Sequence, residues 1–189
     1  AIMAEDGPDL LAPGACGEIV IRGKNVTPGY ANNPEANPKF FTHGWFRTGD
    51  QGYFDPDGYL FITGRLKEII NRGGEKIGPR EVEEVLLAHP GVIQAVTFAV
   101  PHPTLGEDVA AAVILAENDR TTEKELRHFL LPRIAAVKVP SRIVIVDEIP
   151  KGPTGKLQRI GLAEKLADQL KTDFVAPEEP TERILAQIW

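Results

Sequence analysis

Charged residues that could bind a ligand lie close to glycines in three stretches of the sequence. In the first, "IPKGPTGKLQR", two glycines and two prolines surround Lys156. Glycine lets the backbone turn sharply and approach a ligand closely, and proline limits the freedom of a loop. The stretch is not a phosphate-binding P-loop, because only two residues separate Gly152 from Gly155 and Leu157 follows the lysine. The loop is therefore either a plain surface turn or a support that presents the Lys156 ammonium to an anion.

The other two stretches carry a carboxylate and a guanidinium. "GWFRTGD" ends in Asp50, and a carboxylate after a glycine turn can accept hydrogen bonds from a vicinal diol such as ribose. In "GRLKEIINRGGEKIGPREVEEVL", Arg65 can brace a sugar or a phosphate. Gly73 and Gly74 in the same stretch permit close passage of a narrow ligand. Taken singly, each stretch is better explained by an ordinary turn or a solvated charge.

Composition narrows the classes of partner. The chain has 189 residues, 42% of them hydrophobic, which suits a soluble globular protein of one large or two small domains. Its net charge of −6 and the absence of a basic block argue against nucleic acid or an anionic membrane as partner. No apolar run approaches the length of a membrane span. The single cysteine, Cys16, excludes an internal disulfide framework and fits a reducing cytosol, so we expect a cytoplasmic protein.

Several elements must position these side chains. "GEIVIRG" predicts a strand, and "GYFDPDGYLFITGR" predicts a hairpin around Asp55–Gly58. A second hairpin is predicted around Gly73 and Gly74, and a helix after Gly78. "VIQAVTFAV", "VAAAVILA" and "RIVIVDEI" predict buried strands, the first two joined by a loop over 101–108.

Two further helices complete the expected order of elements. Thr122 and Glu125 form the sequence pattern of a capping box, and residues 159–170 predict an amphipathic helix. Helices and strands mix without a regular βαβ repeat. We therefore predict the α+β class: the end of a β-subdomain, followed by a small mixed α/β C-terminal mobile domain.

In order and together, four of these stretches resemble the C-terminal motifs of the acyl-adenylate-forming superfamily. They are "GEIVIRG", "GWFRTGD", "GYLFITGRLKEIINRGGEKIGPREVEEVL" and "IPKGPTGKLQR". That superfamily includes acyl-CoA synthetases, luciferases and the adenylation domains of nonribosomal peptide synthetases. "GGEKIGPREVEEVL" looks most like the acyl-CoA synthetase branch, whereas "DFVAPEEPTERILAQIW" looks like the linker and first helix of an acyl or peptidyl carrier domain.

The resemblance implies an ATP-dependent ligase for carboxylic acids. In such enzymes a carboxylate attacks the α-phosphate of ATP, and the acyl-adenylate then passes its acyl group to a phosphopantetheine thiol, on a carrier protein or on CoA. By resemblance, Asp50 binds the ribose hydroxyls of the nucleotide and Arg65 contacts the same ribose and phosphate region. Lys156 matches the catalytic lysine that bridges carboxylate and phosphate during adenylation.

The resemblance also implies a moving domain. Lys67 falls at the hinge between the large and small domains, where the family often has aspartate. After adenylation the small domain rotates, and Gly73 and Gly74 come to flank the pantetheine channel. Four units are expected in order. The end of the large adenylation core covers residues 1–66, and the mobile subdomain covers 67–170. A linker follows at 171–180, and the start of a carrier-domain helix at 181–189.

Much of such an enzyme is expected elsewhere. By resemblance, the phosphate loop, the acyl pocket and the Mg²⁺ ligands precede Ala1, and the carrier serine follows Trp189, so we predict no metal ligand here and no activity from this chain alone. Its partners would be a large N-terminal core, a carboxylic acid, and a downstream carrier domain or CoA. A noncatalytic docking or scaffold module in a larger synthetase is the rival interpretation, and the joint presence of Asp50, Arg65 and Lys156 argues against it.

Overall fold

Two β-sheets, joined by a short 3-10 turn at Leu66–Glu68, form the framework of the chain. The structure is a computed structural model and describes residues 1–152, 155 and 157–171. Five α-helices and a second 3-10 turn, at Ala136–Lys138, accompany the sheets in these ranges. The expected α+β class is confirmed.

The first sheet is antiparallel and is organised around its longest strand. Its strands β1 to β5 are Ile2–Met3, Gly17–Ile21, Phe41–Thr42, Trp45–Phe54 and Leu60–Arg65, and a short helix α1 at Asn37–Phe40 precedes β3. Strand β4 pairs with β2, β3 and β5. The predicted hairpin between β4 and β5 is confirmed, since the Gly58 amide donates to the Asp55 carbonyl at 3.1 Å and Gly58 has a φ of +85°.

The second sheet carries the remaining strands. Strands β6 to β10 are Ile70–Arg72, Glu75–Ile77, Val92–His102, Gly106–Leu115 and Arg142–Ile145. They lie in the order β10-β9-β6-β7, and β8 also pairs with β9. Strand β10 runs parallel to β9, whereas the other pairings are antiparallel. Helices α2 to α5 are Pro79–Leu87, Glu123–Leu130, Leu162–Lys165 and Ala167–Leu170.

Both faces of the second sheet are covered by apolar clusters. Successive residues of a strand point to opposite faces, and β9 follows this rule: Val109, Ala111 and Val113 join one cluster, while Ala110 and Ala112 join the other. The first cluster packs against helices α2 and α3, through Val82, Leu86, Leu126 and Leu130, and the second packs against α4 and α5 through residues such as Leu162 and Leu166. The sheet is therefore the centre of a three-layer unit.

Local signals in the sequence locate several boundaries correctly. The Thr122 hydroxyl accepts from the Glu125 amide at 3.3 Å, and Glu125 Oε2 accepts from the Thr122 amide at 2.8 Å, so the predicted capping box is confirmed. Helix α2 begins at Pro79, directly after Gly78, as expected.

Two elements differ from the prediction. No single helix covers 159–170: Gly161 has a φ of +79°, so the chain turns there, and two four-residue helices follow with their junction at Leu166. The expected loop over 101–108 is mostly strand, because the β8–β9 ladder continues to the pair His102 and Gly106. Only a three-residue turn remains.

The linker and carrier helix expected at the C-terminal end of the chain lie almost wholly outside the residues that the structure describes. The proposed linker and carrier helix lie almost wholly within residues 172–189, beyond the described ranges, and remain predictions. No helix in the described ranges has both the length and the apolar character needed to cross a bilayer.

Candidate active site

Asp50 and Arg65 meet across the first sheet. They are direct partners in the β4–β5 ladder, and Arg65 Nε lies 3.0 Å from Asp50 Oδ1. Their side chains are 31% and 68% exposed, respectively, so a ligand can reach both. The structure thus brings together the two residues that the sequence assigned to a nucleotide. A carboxylate accepts from hydroxyl groups and a guanidinium donates to phosphate, so the pair fits a nucleotide chemically.

A hydrogen-bonded bulge in strand β4, where its pairing with β2 shifts register, orients Asp50. The Thr48 hydroxyl donates to the Ile19 carbonyl at 2.8 Å and accepts from the Asp50 amide at 3.0 Å. Gly49 has a φ of +75°, a conformation that favours glycine, and its amide donates to Glu18 Oε1 at 3.0 Å. The position of the carboxylate is therefore set by strand β2 as well as by its own strand.

The buried side chain of Glu18 stabilises this bulge. It is 3% exposed and accepts from the Arg47 guanidinium as well as from the Gly49 amide. A charge removed from water must be paired in this way to be tolerated. Sequence reasoning missed both Glu18 and Arg47. The one signal that pointed to them is a charged residue inside the apolar run "GEIVI".

Lys67 lies in the turn that joins the two sheets. This 3-10 turn spans Leu66–Glu68, and Lys67 is exposed within it. The residue therefore stands at the junction where the resemblance placed a hinge, and its role there remains a prediction.

Gly73 and Gly74 form the tip of the β6–β7 hairpin. Their φ angles are +60° and +97°, the pattern of a tight two-residue hairpin turn that suits glycine at both positions. The Gly73 amide donates to the Leu105 carbonyl at 3.0 Å, and the Gly74 amide donates to Asn71 Oδ1 at 3.0 Å. Both glycines are exposed. The tip therefore offers bare backbone beside the turn at Leu105.

A buried ion pair holds the base of this hairpin. Arg72 Nε donates to Asp108 Oδ1 at 2.6 Å, and Arg72 Nη1 donates to the Val137 carbonyl at 3.1 Å. Asp108 is 5% exposed. Burial alone would raise the pKa of Asp108, but hydrogen bonds from the Val109 amide, the Ser141 hydroxyl and Arg72 outweigh burial and lower it. Asp108 is thus ionised at neutral pH.

Lys156 itself lies outside the described residues, as do Pro153 and Thr154. The legs of its loop are described: Lys151 and Leu157 form an antiparallel bridge that closes the base. The structure therefore locates the attachment of the loop but leaves the position of the Lys156 ammonium a prediction.

The two glycines of the same loop differ in how far the backbone requires them. Gly155 has a φ of +74°, and its amide donates to the Gly152 carbonyl at 2.9 Å. A Cβ atom on Gly152 would lie 2.4 Å from the end of the exposed Gln158 side chain, which would have to move. The backbone conformation therefore favours glycine at position 155, whereas at position 152 only a side chain stands in the way.

A carboxylate at the N-terminus links the hairpin to the strand that carries Asp50. Glu5 Oε1 accepts from Gln51 Nε2 at 3.3 Å, and Glu5 also pairs with Lys76 of β7. The hydrogen bond from Lys76 lowers the pKa of Glu5 against the opposing effect of burial. Arg80 Nη1 adds a long contact of 3.4 Å to the Ile62 carbonyl. The two sheets therefore meet through polar groups.

Neither a metal cluster nor a deep groove marks the described part of this region. Within the ranges that the structure describes, no group of three or more His, Cys, Asp or Glu side chains is arranged to hold a metal ion. A groove of about 1450 Å³ runs along α3 and includes Phe129 and Arg133 in its lining. It contains none of the site residues inferred from sequence.

The fold is that of the C-terminal part of adenylate-forming enzymes. Residues 81–156 match the family described as "AMP-binding enzyme C-terminal domain", and the chain belongs to the AMP-binding enzymes. Within that class its relatives are CoA ligases. It is 49% identical to an oxalate–CoA ligase of Saccharomyces cerevisiae, 51% identical to one of Arabidopsis thaliana and 53% identical to a probable CoA ligase, CCL9, of Humulus lupulus. These matches cover 88%, 89% and 91% of the chain, respectively.

The chain spans only about a third of these relatives, between 31% and 33% of their length. Among solved structures, ATP-bound MatB from Rhodopseudomonas palustris matches with a TM-score of 0.83 at 33% identity, over 90% of the chain and 34% of MatB. Apo MatB from the same organism gives 0.67 at 34% identity over the same shares. The arrangement of the chain is thus closer to the ATP-bound form of MatB than to its apo form.

Proposed function

We propose that the protein containing this chain is an ATP-dependent carboxylic acid–CoA ligase. The Asp50–Arg65 pair carries the proposal, because an accessible carboxylate and guanidinium 3.0 Å apart suit the hydroxyls and phosphate of a nucleotide. The CoA ligases among its relatives support CoA as the acceptor thiol. Phosphopantetheine on a downstream carrier domain is the alternative acceptor, and it depends on the pattern of residues 181–189.

The reaction would have two steps that use different parts of the chain. In the first, an oxygen of the acid attacks the α-phosphorus of ATP and the bond to pyrophosphate breaks. Asp50 would hold the ribose hydroxyls and Arg65 the ribose and phosphate region. Lys156 would offset the repulsion between the two anions and stabilise the charge that develops. Electrostatic stabilisation of this kind is usually the largest single contribution to catalysis.

In the second step, the thiol attacks the acyl carbon and AMP leaves. The bare backbone at Gly73 and Gly74 would flank the narrow pantetheine arm, since it carries no side chain to obstruct it. Rotation about Lys67 would exchange the Lys156 loop for this hairpin. Mg²⁺ would neutralise nucleotide phosphate charge, with its ligands in the large N-terminal core that we propose as partner.

Oxalate is the first acid to test. Two of the relatives named above are oxalate–CoA ligases. The acid pocket itself is expected in the N-terminal core, so a panel of short monocarboxylates and dicarboxylates accompanies oxalate. We also propose a cytoplasmic location, which suits the exposed, unpaired thiol of Cys16.

ATP–pyrophosphate exchange by the intact protein tests the proposal. We expect acid-dependent exchange that Lys156→Ala lowers by about 100- to 1000-fold, the size of effect seen when one charge-stabilising donor is removed. Lys165→Ala is the matched control, because Lys165 is exposed on α4 and has no proposed role. Absence of exchange with every acid would favour the scaffold interpretation. Mass spectrometry then distinguishes acyl-CoA from acyl loading of the protein.

A further inference from the structure

Arg159, three residues after Lys156, is held by two carboxylates. Its Nη2 and Nε atoms donate to Glu83 Oε2 and Oε1 at 2.7 and 3.1 Å, and its Nη1 donates to Glu68 Oε2 at 2.6 Å. The contact with Glu83 is bidentate, the arrangement in which a guanidinium gives both strength and fixed geometry.

This cluster is well shielded from water. The side chains of Arg159, Glu68 and Glu83 are only 23%, 21% and 11% exposed, and Glu83 Oε1 also accepts from the buried amide of Thr97 at 2.7 Å. Burial alone would lower the pKa of Arg159, but the hydrogen bonds and charges of Glu83 and Glu68 outweigh it and raise that pKa. The guanidinium is therefore permanently charged and is fixed on two sides.

The two carboxylates that hold Arg159, and the Thr97 amide that holds Glu83, come from separate elements. Glu68 ends the 3-10 turn that contains Lys67, Glu83 lies on α2, and Thr97 lies on β8. Arg159 belongs to the C-terminal leg of the Lys156 loop, whose base is closed by the bridge at Leu157. One side chain thus ties this leg to the turn between the sheets and to the helix of the second sheet.

The anchor restricts where the lysine can reach. Lys156 and Arg159 are three residues apart in the sequence, and three residues of extended chain span at most about 10 Å. A displacement of about 1 Å at a reacting group can cost about 100-fold in rate. An attachment at Arg159, in addition to the bridge at Leu157, therefore limits the displacements open to this leg of the loop.

We propose that Arg159 is a positioning residue for the adenylation step: its contacts with Glu68 and Glu83 hold the Lys156 loop in register with the turn at Lys67. This inference rests on the proposed function. It assigns Arg159 no contact with ATP or acid. Loss of Arg159 should therefore slow adenylation but not thioester transfer, because the proposed transfer step does not use Lys156.

Two rates of the intact protein separate this role from a merely structural one. The first is ATP–pyrophosphate exchange, with the acid that gives the fastest exchange. The second is thioester formation from the supplied adenylate of that acid and CoA. We expect Arg159→Ala to lower kcat of exchange by about 10- to 100-fold, with smaller changes in KM, and to leave the transfer rate nearly unchanged.

Two milder variants guard against loss of folding. Arg159→Lys keeps the charge but not the bidentate fork, and Glu68→Gln removes one charged partner while keeping an acceptor oxygen. Both are expected to reduce exchange less than Arg159→Ala does. Arg133→Ala is the matched arginine control, since Arg133 is exposed and stacks on the Phe129 ring at 3.8 Å, with no contact to this cluster. It should change neither rate.

The outcomes distinguish the two proposals. If the milder variants fold normally and lower both rates equally, or lower neither, the positioning role is overturned. If the unmodified protein exchanges and Lys156→Ala abolishes exchange while the Arg159 variants match Arg133→Ala, this inference alone fails. If the unmodified protein shows no exchange with any acid, the proposed function fails and the role of Arg159 falls with it.

Discussion

The two sheets differ in how much apolar core stabilises them. In the second, two apolar clusters cover both faces, and Phe98, Leu126 and Leu130 are at most 1% exposed. In the first, the described buried apolar side chains are Ile2, Met3, Ile19 and Val20. Tyr59, directly before β5, and Leu60, Phe61 and Ile62 at the start of β5 are between 42% and 69% exposed. The second sheet has a core of its own, whereas the first leaves these large apolar side chains exposed.

This difference bears on where function resides. The Asp50–Arg65 pair belongs to the sheet with little core and is oriented by polar contacts to Glu18. The Gly73–Gly74 hairpin belongs to the sheet that packs on both sides. Large exposed apolar side chains in this number often mark an interface. We therefore expect the proposed N-terminal core to cover β5 and to stabilise the nucleotide pair indirectly.

Separating the sheets should give the largest effect. We expect residues 67–171 to unfold cooperatively as an isolated fragment, and residues 1–66 to show no cooperative transition, because so small a segment buries too little apolar surface. Circular dichroism during heating and in urea measures both. A sharp transition from residues 1–66 alone would contradict the comparison.

Two phenylalanine truncations sharpen the contrast. Phe98 is 1% exposed, so Phe98→Ala should destabilise the chain by about 3–5 kcal/mol through lost burial and a cavity. Phe61 is 46% exposed and stacks on Tyr53 with ring centroids 5.3 Å apart, so Phe61→Ala should cost only about 1 kcal/mol. Urea unfolding of the 189-residue chain measures both. Equal losses would show that the first sheet has more core than its exposure indicates.

Asp108→Asn probes the ion pair beneath the hairpin. The variant leaves Arg72 without its anionic partner, and we expect a loss of about 2 kcal/mol at pH 7. Since the pKa of Asp108 is lower in the folded state, its contribution is complete above the unfolded value of about 4 and is lost as pH falls through the folded value. Urea titrations from pH 7 to pH 3 should therefore show the two proteins converging. A difference that persists unchanged at pH 3 would contradict this assignment.

Gly74→Ala should give only a small change in stability. At a φ of +97° an added Cβ is strained, and we expect a cost of about 1–2 kcal/mol without loss of fold. In the intact protein, thioester formation should slow more than pyrophosphate exchange. Gly7→Ala is the control, because a Cβ there meets no atom within 4 Å and Gly7 lacks a positive φ. Equal slowing of the two rates would remove the hairpin from the transfer step.

Local chemistry explains which features the sequence could predict. The turn at Asp55–Gly58, the capping box at Thr122 and the glycine hairpin each depend on residues within a few positions of one another. The break at Gly161 was missed because helical periodicity continues across it, while the backbone conformation of one glycine does not appear in such a pattern. The strand pairing of His102 was missed because a proline and glycine context outweighed a ladder formed by distant residues.

The supports of the candidate site were harder to predict for the same reason. Glu18 and Arg47 are 29 residues apart, and Arg159 lies 76 and 91 residues from Glu83 and Glu68. Charged residues at such separations carry no pairing information in a single sequence. Asp50 and Arg65 could be assigned to one nucleotide only because the order of short motifs resembles a family, and that role, like the position of Lys156, remains a prediction.

The Glu5 carboxylate has a consequence for how the molecule can change shape. It joins Gln51 of one sheet to Lys76 of the other in a setting open to water, where salt and solvent weaken an ion pair. The two apolar clusters found in the described ranges belong to the second sheet and its helices, and neither includes Glu5, Gln51 or Lys76. Raised ionic strength should therefore loosen the relative orientation of the sheets well before it disturbs either interior.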